Sequence, residues 1–224
     1  MISPKSRRRR GRPPSSTLKM SYWAAAGLSP TMPKPEDKRL KKLKDILGGM
    51  ERVVVAYSGG VDSTFLLYLA RSVLGRENVL AVTASSESYP APERRQAVET
   101  AKRLSVEHMI VKTKEFSDKN FIRNPIDRCY YCKKDLFRKL NTVARKGGYF
   151  FVLDGSTLDD LKDVRYGRLA KEEENIRSPI QEARLKKRDI RRFSKKMGIK
   201  HWNKPPLACL ASRVAYNQEI TKDR

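Results

Sequence analysis

Short apolar runs alternate with longer amphipathic stretches from residue 37 onward. Short runs of β-branched and apolar residues predict buried strands, and longer stretches with apolar residues every three or four positions predict helices. We predict strands at residues 52–57, 78–84, 107–113 and 150–154, and helices at about 37–47, 62–74, 92–104, 133–145 and 186–197. Such alternation implies βαβ crossovers, so we expect an α/β fold with a Rossmann-like, doubly wound parallel sheet and a smaller C-terminal part.

The last predicted helix is strongly basic outside its apolar side. Its apolar side chains are Ile190, Phe193 and Met197. The cations on the rest of its surface are Lys187, Arg188, Arg191, Arg192 and Lys195. Two interpretations remain open: a solvated basic face, or a face that also contacts phosphate.

The chain as a whole is basic, with 49 Lys and Arg against 25 Asp and Glu and a net charge of +24. Residues 1–50 carry 13 basic and 3 acidic side chains, so +14 of the total +24 belongs to residues 51–224. The excess therefore extends beyond the N-terminal segment. It predicts anionic partners such as phosphates, nucleotides or nucleic acid.

No apolar run approaches the roughly 20 residues that span a bilayer. The longest such run, residues 65–70, suits a buried helix. The Arg-rich N-terminus has no apolar segment behind it, which argues against a secretory signal. Three cysteines are too few for a disulfide scaffold, so we expect a soluble protein of the reducing cytoplasm without a membrane partner.

Residues 1–35 are rich in Arg, Pro and Ser and show no sustained period. We expect them to form a basic disordered tail, followed by a nucleotide domain at 36–170 and the start of a C-terminal region at 171–224. The motif GRPP at 11–14, preceded by arginines, resembles a minor-groove AT-hook, but such composition arises easily, so we favour a solvated basic tail.

The segment SGGVDS, residues 58–63, lies between the first predicted strand and the next helix. Adjacent glycines at such a turn let the backbone approach an anion, and the helix N-terminus supplies unpaired N–H groups and a positive dipole end. The segment lacks the GK[ST] of a Walker A loop. Its serine hydroxyls suit phosphate oxygens, and Asp62 suits Mg²⁺.

SGGVDS resembles the PP-loop of the ATP pyrophosphatases, which cleave ATP between the α and β phosphates and adenylate a substrate oxygen. The resemblance implies that the adenosine lies near Thr83 and Ala84, at the end of the second predicted strand. It also implies a pyrophosphate site formed by Ser58, Gly59, Gly60, Val61, Asp62 and Ser63. Ligands of open α/β sheets bind at the carboxyl ends of the strands, which agrees with both placements.

The three cysteines comprise a CxxC pair, Cys129 and Cys132, and the distant Cys209. In a reducing compartment, a CxxC pair is more often metal-binding or redox-active than a structural disulfide. No histidine lies near enough in the sequence to complete an obvious zinc set: His108 falls in an apolar strand and His201 stands beside Trp202, so we interpret both as packing residues.

Four segments behind the loop narrow the family: DRCYYCKKDLF, LDGSTLDDLKDVRYG, RSPIQEARLKKRDIRRF and KPPLACLASR. In this order, residues 37–224 resemble the ATP-dependent sacrificial sulfur transferases that make the nickel-pincer nucleotide cofactor of lactate racemase. The resemblance implies adenylation of a carboxylate on a pyridinium dicarboxylate mononucleotide. Sulfur then displaces AMP and leaves a thiocarboxylate. It also implies a homo-oligomer and further segments beyond residue 224.

Two sulfur sources occur in this family. In some members a single cysteine, matching Cys209, gives up its sulfur and becomes dehydroalanine. Members with a CxxC and a third cysteine resemble proteins that hold a 4Fe-4S cluster, here through Cys129, Cys132 and Cys209. Three thiolates leave one iron open for chemistry, so we favour the cluster, while a lone donor with a spare, zinc-binding or redox CxxC stays open.

Four further residues match family segments. Gly155 and Asp160 would face the nucleotide or its Mg²⁺, although a local helix cap by Ser156 or Asp159 also explains DGSTLDD. The family more often has Asn where this chain has Thr157. Ser212 and Arg213 suit a phosphate group on the substrate or leaving group, where the Arg fork makes bidentate contacts.

Two alternative functions are considered. A tRNA thiolase of the PP-loop class would also use a cluster and would attract RNA through its charge. Such loops usually have Lys in place of Val61, and the thiol segments fit the sulfur transferase better. A nucleic-acid-binding protein dominated by its basic tail would leave SGGVDS and the thiols unexplained.

Overall fold

Four parallel strands form the sheet of the computed structural model, which describes residues 37–86, 89–161, 166–205 and 209–221. The strands are β1 (Val53–Ala56), β2 (Val79–Ser85), β3 (Glu107–Lys112) and β4 (Phe151–Leu153), in the order β3-β2-β1-β4. Val54 of β1 pairs with Leu80 on one side and with Val152 on the other. The predicted doubly wound α/β fold is confirmed.

Helices connect and flank the strands. Within the described ranges they are α1 (Lys38–Gly48), α2 (Val61–Leu74), α3 (Ala91–Arg103), α4 (Lys119–Ile122), α5 (Arg128–Gly147), α6 (Gly167–Glu173), α7 (Pro179–Glu182) and α8 (Lys187–Lys196). Short 3-10 turns span Arg76–Asn78, Glu115–Ser117, Leu158–Leu161 and Leu210–Arg213. In the described part of the chain, no helix combines the length and apolarity that crossing a membrane requires.

Both faces of β1, β2 and β4 are largely buried, which explains why these strands read as continuous apolar runs, whereas the edge strand β3 is mostly exposed. Val53 and Val55 point into one core with Leu43 of α1, Phe65 of α2 and Ile190 of α8. Val54 alternates to the other face and packs in a second core with α5 and α6, whose members there include Phe137, Leu140 and Ala170. Helices on both faces fix β1 in the middle of the molecule.

The order of the strands determines where a ligand can bind. The chain passes from β1 outward through β2 to β3 and then returns to place β4 on the opposite side of β1. The loops after β1 and β4 therefore lie side by side at the carboxyl edge, where the direction of winding reverses. Open α/β sheets bind ligands in this crevice.

The helix predicted at residues 133–145 begins earlier, since α5 spans Arg128–Gly147. The CxxC pair therefore lies in the first turns of this helix. The apolar pattern that predicts a helix begins only near Leu136 and Phe137, because the preceding residues are mostly polar. The tail predicted at residues 1–35 lies outside the described residues.

Candidate active site

The loop between β1 and α2 forms a tight turn around its glycines. Gly59 has φ +68°, and a Cβ there would lie 3.0 Å from the Cβ of Ala97. The backbone N–H of Gly60 donates to Ser58 Oγ at 3.4 Å, and Ser63 Oγ donates to the carbonyl of Gly60 at 3.2 Å. The two serine hydroxyls lie 3.1 Å apart. They hold the loop in shape and leave the N-terminus of α2 open toward the crevice.

The loop after β4 packs directly on this turn. A Cβ built on Gly155 would lie 2.9 Å from the backbone nitrogen and 3.1 Å from the Cα of Ser63. Only glycine allows this approach without a shift of the backbone. Gly155 is not among the residues that line the cavity, so its observed contact is with α2, whereas the sequence predicted contact with nucleotide or Mg²⁺.

A buried polar network holds the β4 loop. Asp154 accepts hydrogen bonds of 2.5 Å from the hydroxyls of Ser156 and Ser178. Lys171 Nζ donates to Ser178 Oγ at 2.8 Å and lies 4.0 Å from Asp154 Oδ1. Asp154 and Lys171 are largely buried, and both side chains bond to the hydroxyl of Ser178. This network fixes the loop that carries Gly155.

The crevice opens into a cavity of about 620 Å³. The phosphate loop, the end of β2, the start of α5, α8 and the segment around Cys209 all contribute to its wall. The predicted site residues that line it are Ser58, Gly60, Val61, Asp62, Thr83, Ala84, Cys129, Cys132 and Cys209. Folding thus places the nucleotide loop and all three thiols on a single cavity.

Asp62 lies on the wall next to cations from a distant helix. Burial raises the pKa of Asp62 to about 6, the charges of Asp160 and Asp159 add to the rise, and those of Lys187 and Arg191 oppose it. Lys187 and Arg191 line the cavity from α8. The basic side of α8 therefore faces the phosphate loop at two positions, which an amphipathic pattern alone does not distinguish from a solvated face.

The thiols differ in exposure. Cys129 and Cys209 are exposed, whereas Cys132 is partly buried. Burial raises the pKa of Cys132 to about 12, and the charges of Glu115, Cys209 and Cys129 add to the rise. Cys129 and Cys132 occupy the first turns of α5, three positions apart, so they share one side of the helix.

Hydrogen bonds attach the segment that carries Cys209 to the start of α5. Arg128 Nη1 donates to the backbone carbonyl of Ala211 at 2.9 Å. Asn124 Nδ2 donates to the carbonyls of Ala215 at 2.7 Å and Gln218 at 3.0 Å. On the other side of the cavity, Lys204 contacts Glu93 and Gln96 of α3. The hydrogen bonds from Arg128 and Asn124 hold the segment that carries Cys209 against the start of α5, where Cys129 and Cys132 lie.

Thr83 lines the cavity, but its hydroxyl forms hydrogen bonds to neighbouring segments of the sheet. The hydroxyl donates to the carbonyl of Tyr57 at 2.7 Å and lies 2.8 Å from His108 Nε2. Tyr89 covers the neighbouring edge, where its hydroxyl donates to the carbonyl of Ser58 at 2.8 Å. Burial raises the pKa of Tyr89 to about 12.

Other predicted residues lie away from the cavity wall. Asp160 accepts from the N–H of Thr157 at 2.8 Å and forms an ion pair with Lys187, whose Nζ lies 3.3 Å away. Ser212 Oγ donates to the carbonyl of Cys209 at 2.6 Å and stabilises the turn after that thiol. Arg213 is exposed and, like Ser212, is not part of the wall.

Among the described residues, no three His, Cys, Asp or Glu side chains converge closely enough to hold a single metal ion. A 4Fe-4S cluster places different demands on its ligands, since each thiolate binds a separate iron. Three thiols around one cavity, two of them exposed, fit the donor set of such a cluster.

The fold and the site together define a class. The loop with two adjacent glycines lies after β1, where the winding of the parallel sheet reverses. This arrangement is the nucleotide site of a PP-loop protein. The NAD synthase family matches residues 39–150, half of the chain. The solved U34-tRNA thiolase from Methanococcus maripaludis with its 4Fe-4S cluster superposes with a TM-score of 0.55 at 19% identity, over 78% of this chain and 70% of the thiolase.

Sequence relatives define the family more narrowly. An uncharacterised protein of Synechocystis sp. is 39% identical over 84% of this chain and 70% of its own length. The pyridinium-3,5-bisthiocarboxylic acid mononucleotide synthase of Lactiplantibacillus plantarum is 38% identical over 79% of this chain. The chain spans 64% of the length of that synthase. The chain belongs to the NAD synthase family of PP-loop proteins, and over most of its length it is similar to this synthase.

Proposed function

We propose that this protein adenylates a carboxylate of a pyridinium dicarboxylate mononucleotide with ATP and replaces AMP by sulfur, giving a thiocarboxylate. The observation that carries the proposal is the shared cavity, which joins the phosphate loop to three thiols within about 620 Å³. The similarity to the Lactiplantibacillus plantarum synthase supports the choice of a mononucleotide substrate.

In the first half of the reaction, the loop of residues 58–63 and the N-terminus of α2 bind the phosphates of ATP. Lys187 and Arg191 line the same cavity and stabilise the charge of the leaving pyrophosphate. Mg²⁺ held at Asp62 would neutralise further phosphate charge. The substrate carboxylate oxygen attacks the α phosphorus, and the bond to the bridging oxygen of pyrophosphate breaks.

In the second half, a sulfur anion attacks the acyl carbon, and AMP leaves with the electron pair of the broken C–O bond. Cys129, Cys132 and Cys209 would hold a 4Fe-4S cluster, which supplies an iron without a protein ligand as a binding position for sulfur. The apolar side chains of the wall near the thiols, Leu136 and Phe121, limit the access of water that would hydrolyse the adenylate.

Anaerobic reconstitution with iron and sulfide tests the sulfur source. We expect about four irons per chain in the wild type and loss of the cluster absorbance in Cys129→Ala, as three-thiolate ligation requires. Exposed Lys196→Ala on α8 serves as the control. If iron does not bind and Cys209 instead loses about 34 Da during turnover, the mass of H₂S, the thiol itself is the sacrificed donor.

Substrate exchange tests the acceptor. ATP–pyrophosphate exchange should require the pyridinium dicarboxylate mononucleotide and should not respond to RNA. Exchange that responds to tRNA, with an affinity that falls steeply with salt, would instead favour the tRNA thiolase, for which the net charge of +24 is the supporting observation.

A further inference from the structure

Arg128 lies where two thiol-bearing segments meet. It is the first residue of α5, directly before Cys129, and only 4% of its surface is exposed. Its Nη1 donates to the carbonyl of Ala211, two residues beyond Cys209, at 2.9 Å. The same nitrogen contacts the side-chain oxygen of Asn124. The guanidinium group of Arg128 therefore bonds to the backbone two residues after Cys209, and Arg128 itself directly precedes Cys129 of the CxxC pair.

Asn124 prepares this contact from the other side. Its side chain is fully buried and its φ is +55°, a conformation that asparagine tolerates better than most residues. Its amide nitrogen donates to the carbonyls of Ala215 and Gln218, while its backbone carbonyl accepts from the N–H of Asn217 at 2.9 Å. These bonds fix the side-chain oxygen that Arg128 contacts and fold residues 209–221 back onto α4 and α5.

A small apolar core completes the attachment. Phe121, Ala211 and Ile220 are buried together, and Cys132 packs against them. The ring of Tyr216 lies 5.3 Å from Arg128 Cζ, in the range of a cation–π contact. The two oxygens that accept from Arg128 are neutral, so its positive charge is not cancelled by them. Arg128 itself lines the cavity wall beside Cys129.

We propose that Arg128 is a positioning residue that holds Cys209 within reach of Cys129 and Cys132. The inference rests on the proposed function only in treating the three thiols as one working set. Arg128 fixes the backbone two residues after Cys209, and it does so from the residue adjacent to Cys129. Loss of the guanidinium releases the third thiol while the phosphate loop, built on β1 and α2, keeps its shape.

Thiol cross-linking tests the spacing without requiring turnover. The full cluster-free chain is treated with a short bifunctional maleimide, and linked peptides are identified by mass. The wild type should give a Cys129–Cys209 link. Arg128→Met, which keeps the bulk but removes the donors, should form this link about tenfold more slowly, since a hydrogen bond from a charged group in a buried site is lost. Arg138→Met is the matched control, because Arg138 is on the same helix, 64% exposed and paired with Glu174.

ATP binding and iron content separate positioning from general unfolding. Arg128→Met should bind ATP like the wild type and reconstitute with less iron. Wild-type cross-linking and iron content in Arg128→Met would overturn the inference, as would the absence of the link in the wild type.

If Arg128→Met no longer binds ATP, a second variant, Arg128→Lys, tests the inference. Lysine keeps the positive charge but has fewer hydrogen-bond donors, so the Cys129–Cys209 link should form several-fold more slowly than in the wild type. A wild-type cross-linking rate in Arg128→Lys would then overturn the inference. Neither measurement depends on sulfur transfer, so both can be interpreted even if the proposed reaction does not occur.

Discussion

The backbone of Gly155 in the β4 loop contacts the first turn of α2 so closely that a Cβ on Gly155 would lie 2.9 Å from the backbone nitrogen of Ser63. Backbone atoms form this contact, so no side chain can rotate away. The substitution Gly155→Ala should therefore push the two loops apart, lower the free energy of unfolding by about 1–3 kcal/mol and weaken ATP binding. Chemical denaturation and ATP titration measure both effects.

The control for this substitution is Gly48→Ala, where the new Cβ would meet only Val73 Cγ1, at 3.8 Å. Gly48 is the last residue of α1 and does not line the cavity. We expect unchanged ATP affinity in this variant. Equal losses of ATP affinity in the two alanine variants would show that the Gly155 contact does not shape the phosphate loop.

Lys187 should contribute to ATP affinity. Its side chain lines the cavity, and its Nζ lies 3.3 Å from Asp160 Oδ1, which directs the charge toward the phosphate loop. Lys187→Met should weaken ATP binding about tenfold, which corresponds to about 1.4 kcal/mol. Lys196→Met, on the exposed end of the same helix, should bind ATP normally. An unchanged dissociation constant for ATP in Lys187→Met would show that the cations of α8 form a solvated face and do not contact phosphate.

Asp154 should be important for stability. Removing its carboxylate in Asp154→Ala leaves Lys171 buried without its charge partner and breaks the bonds from Ser156 and Ser178. The expected loss is about 3 kcal/mol, typical of breaking a buried ion pair from one side. Asp45→Ala removes an exposed pair with Lys41 and should cost less than about 1 kcal/mol. Comparable melting temperatures in the two variants would contradict this ranking.

His108 should make stability depend on pH. Burial lowers the pKa of His108, and its Nε2 lies 2.8 Å from Thr83 Oγ1. Thr83 donates its own proton to Tyr57, so His108 must donate to Thr83 through a neutral ring protonated at Nε2. The unfolded chain takes up a proton near pH 6.5, where the folded chain does not, so stability should fall as the pH drops below about 6.5.

The variant His108→Gln keeps a donor for Thr83 and has no titrating ring. Its free energy of unfolding should vary less between pH 7 and pH 5 than that of the wild type, as measured by denaturant titration at each pH. Parallel pH profiles in the two proteins would assign the acid sensitivity to other groups.

The sequence was sufficient to predict the parts of the site that a local motif specifies. The β1 strand, the SGGVDS turn and α2 follow from β-branched residues, adjacent glycines and a helical period. The grouping of Cys209 with the CxxC pair in one cavity was implied only by resemblance to a family. It depends on contacts across more than eighty residues, such as that between Arg128 and Ala211, which leave no local pattern.

Other parts could not be predicted for identifiable reasons. Asn124 and Arg128 are polar residues in a stretch without a regular apolar pattern, so nothing in the sequence indicates that they are buried. The close packing of Gly155 on the backbone of Ser63 is not indicated by any side-chain pattern, and the contact of Gly155 with nucleotide or Mg²⁺ stays a prediction. Lys187 and Arg191 were indistinguishable from the other cations of α8 until the packing of the helix was known.

The attachment of residues 209–221 to α4 and α5 also sets an order of assembly on the ribosome. Translation produces β1, the phosphate loop and β2 long before Cys209, and the Cys129 pair emerges between them. A nascent chain can thus form its nucleotide cradle while it still has only two thiols. Under the proposed function, iron delivered to the growing polypeptide would meet only two of the three thiols, so a cluster would form only after residues 209–221 have emerged and docked.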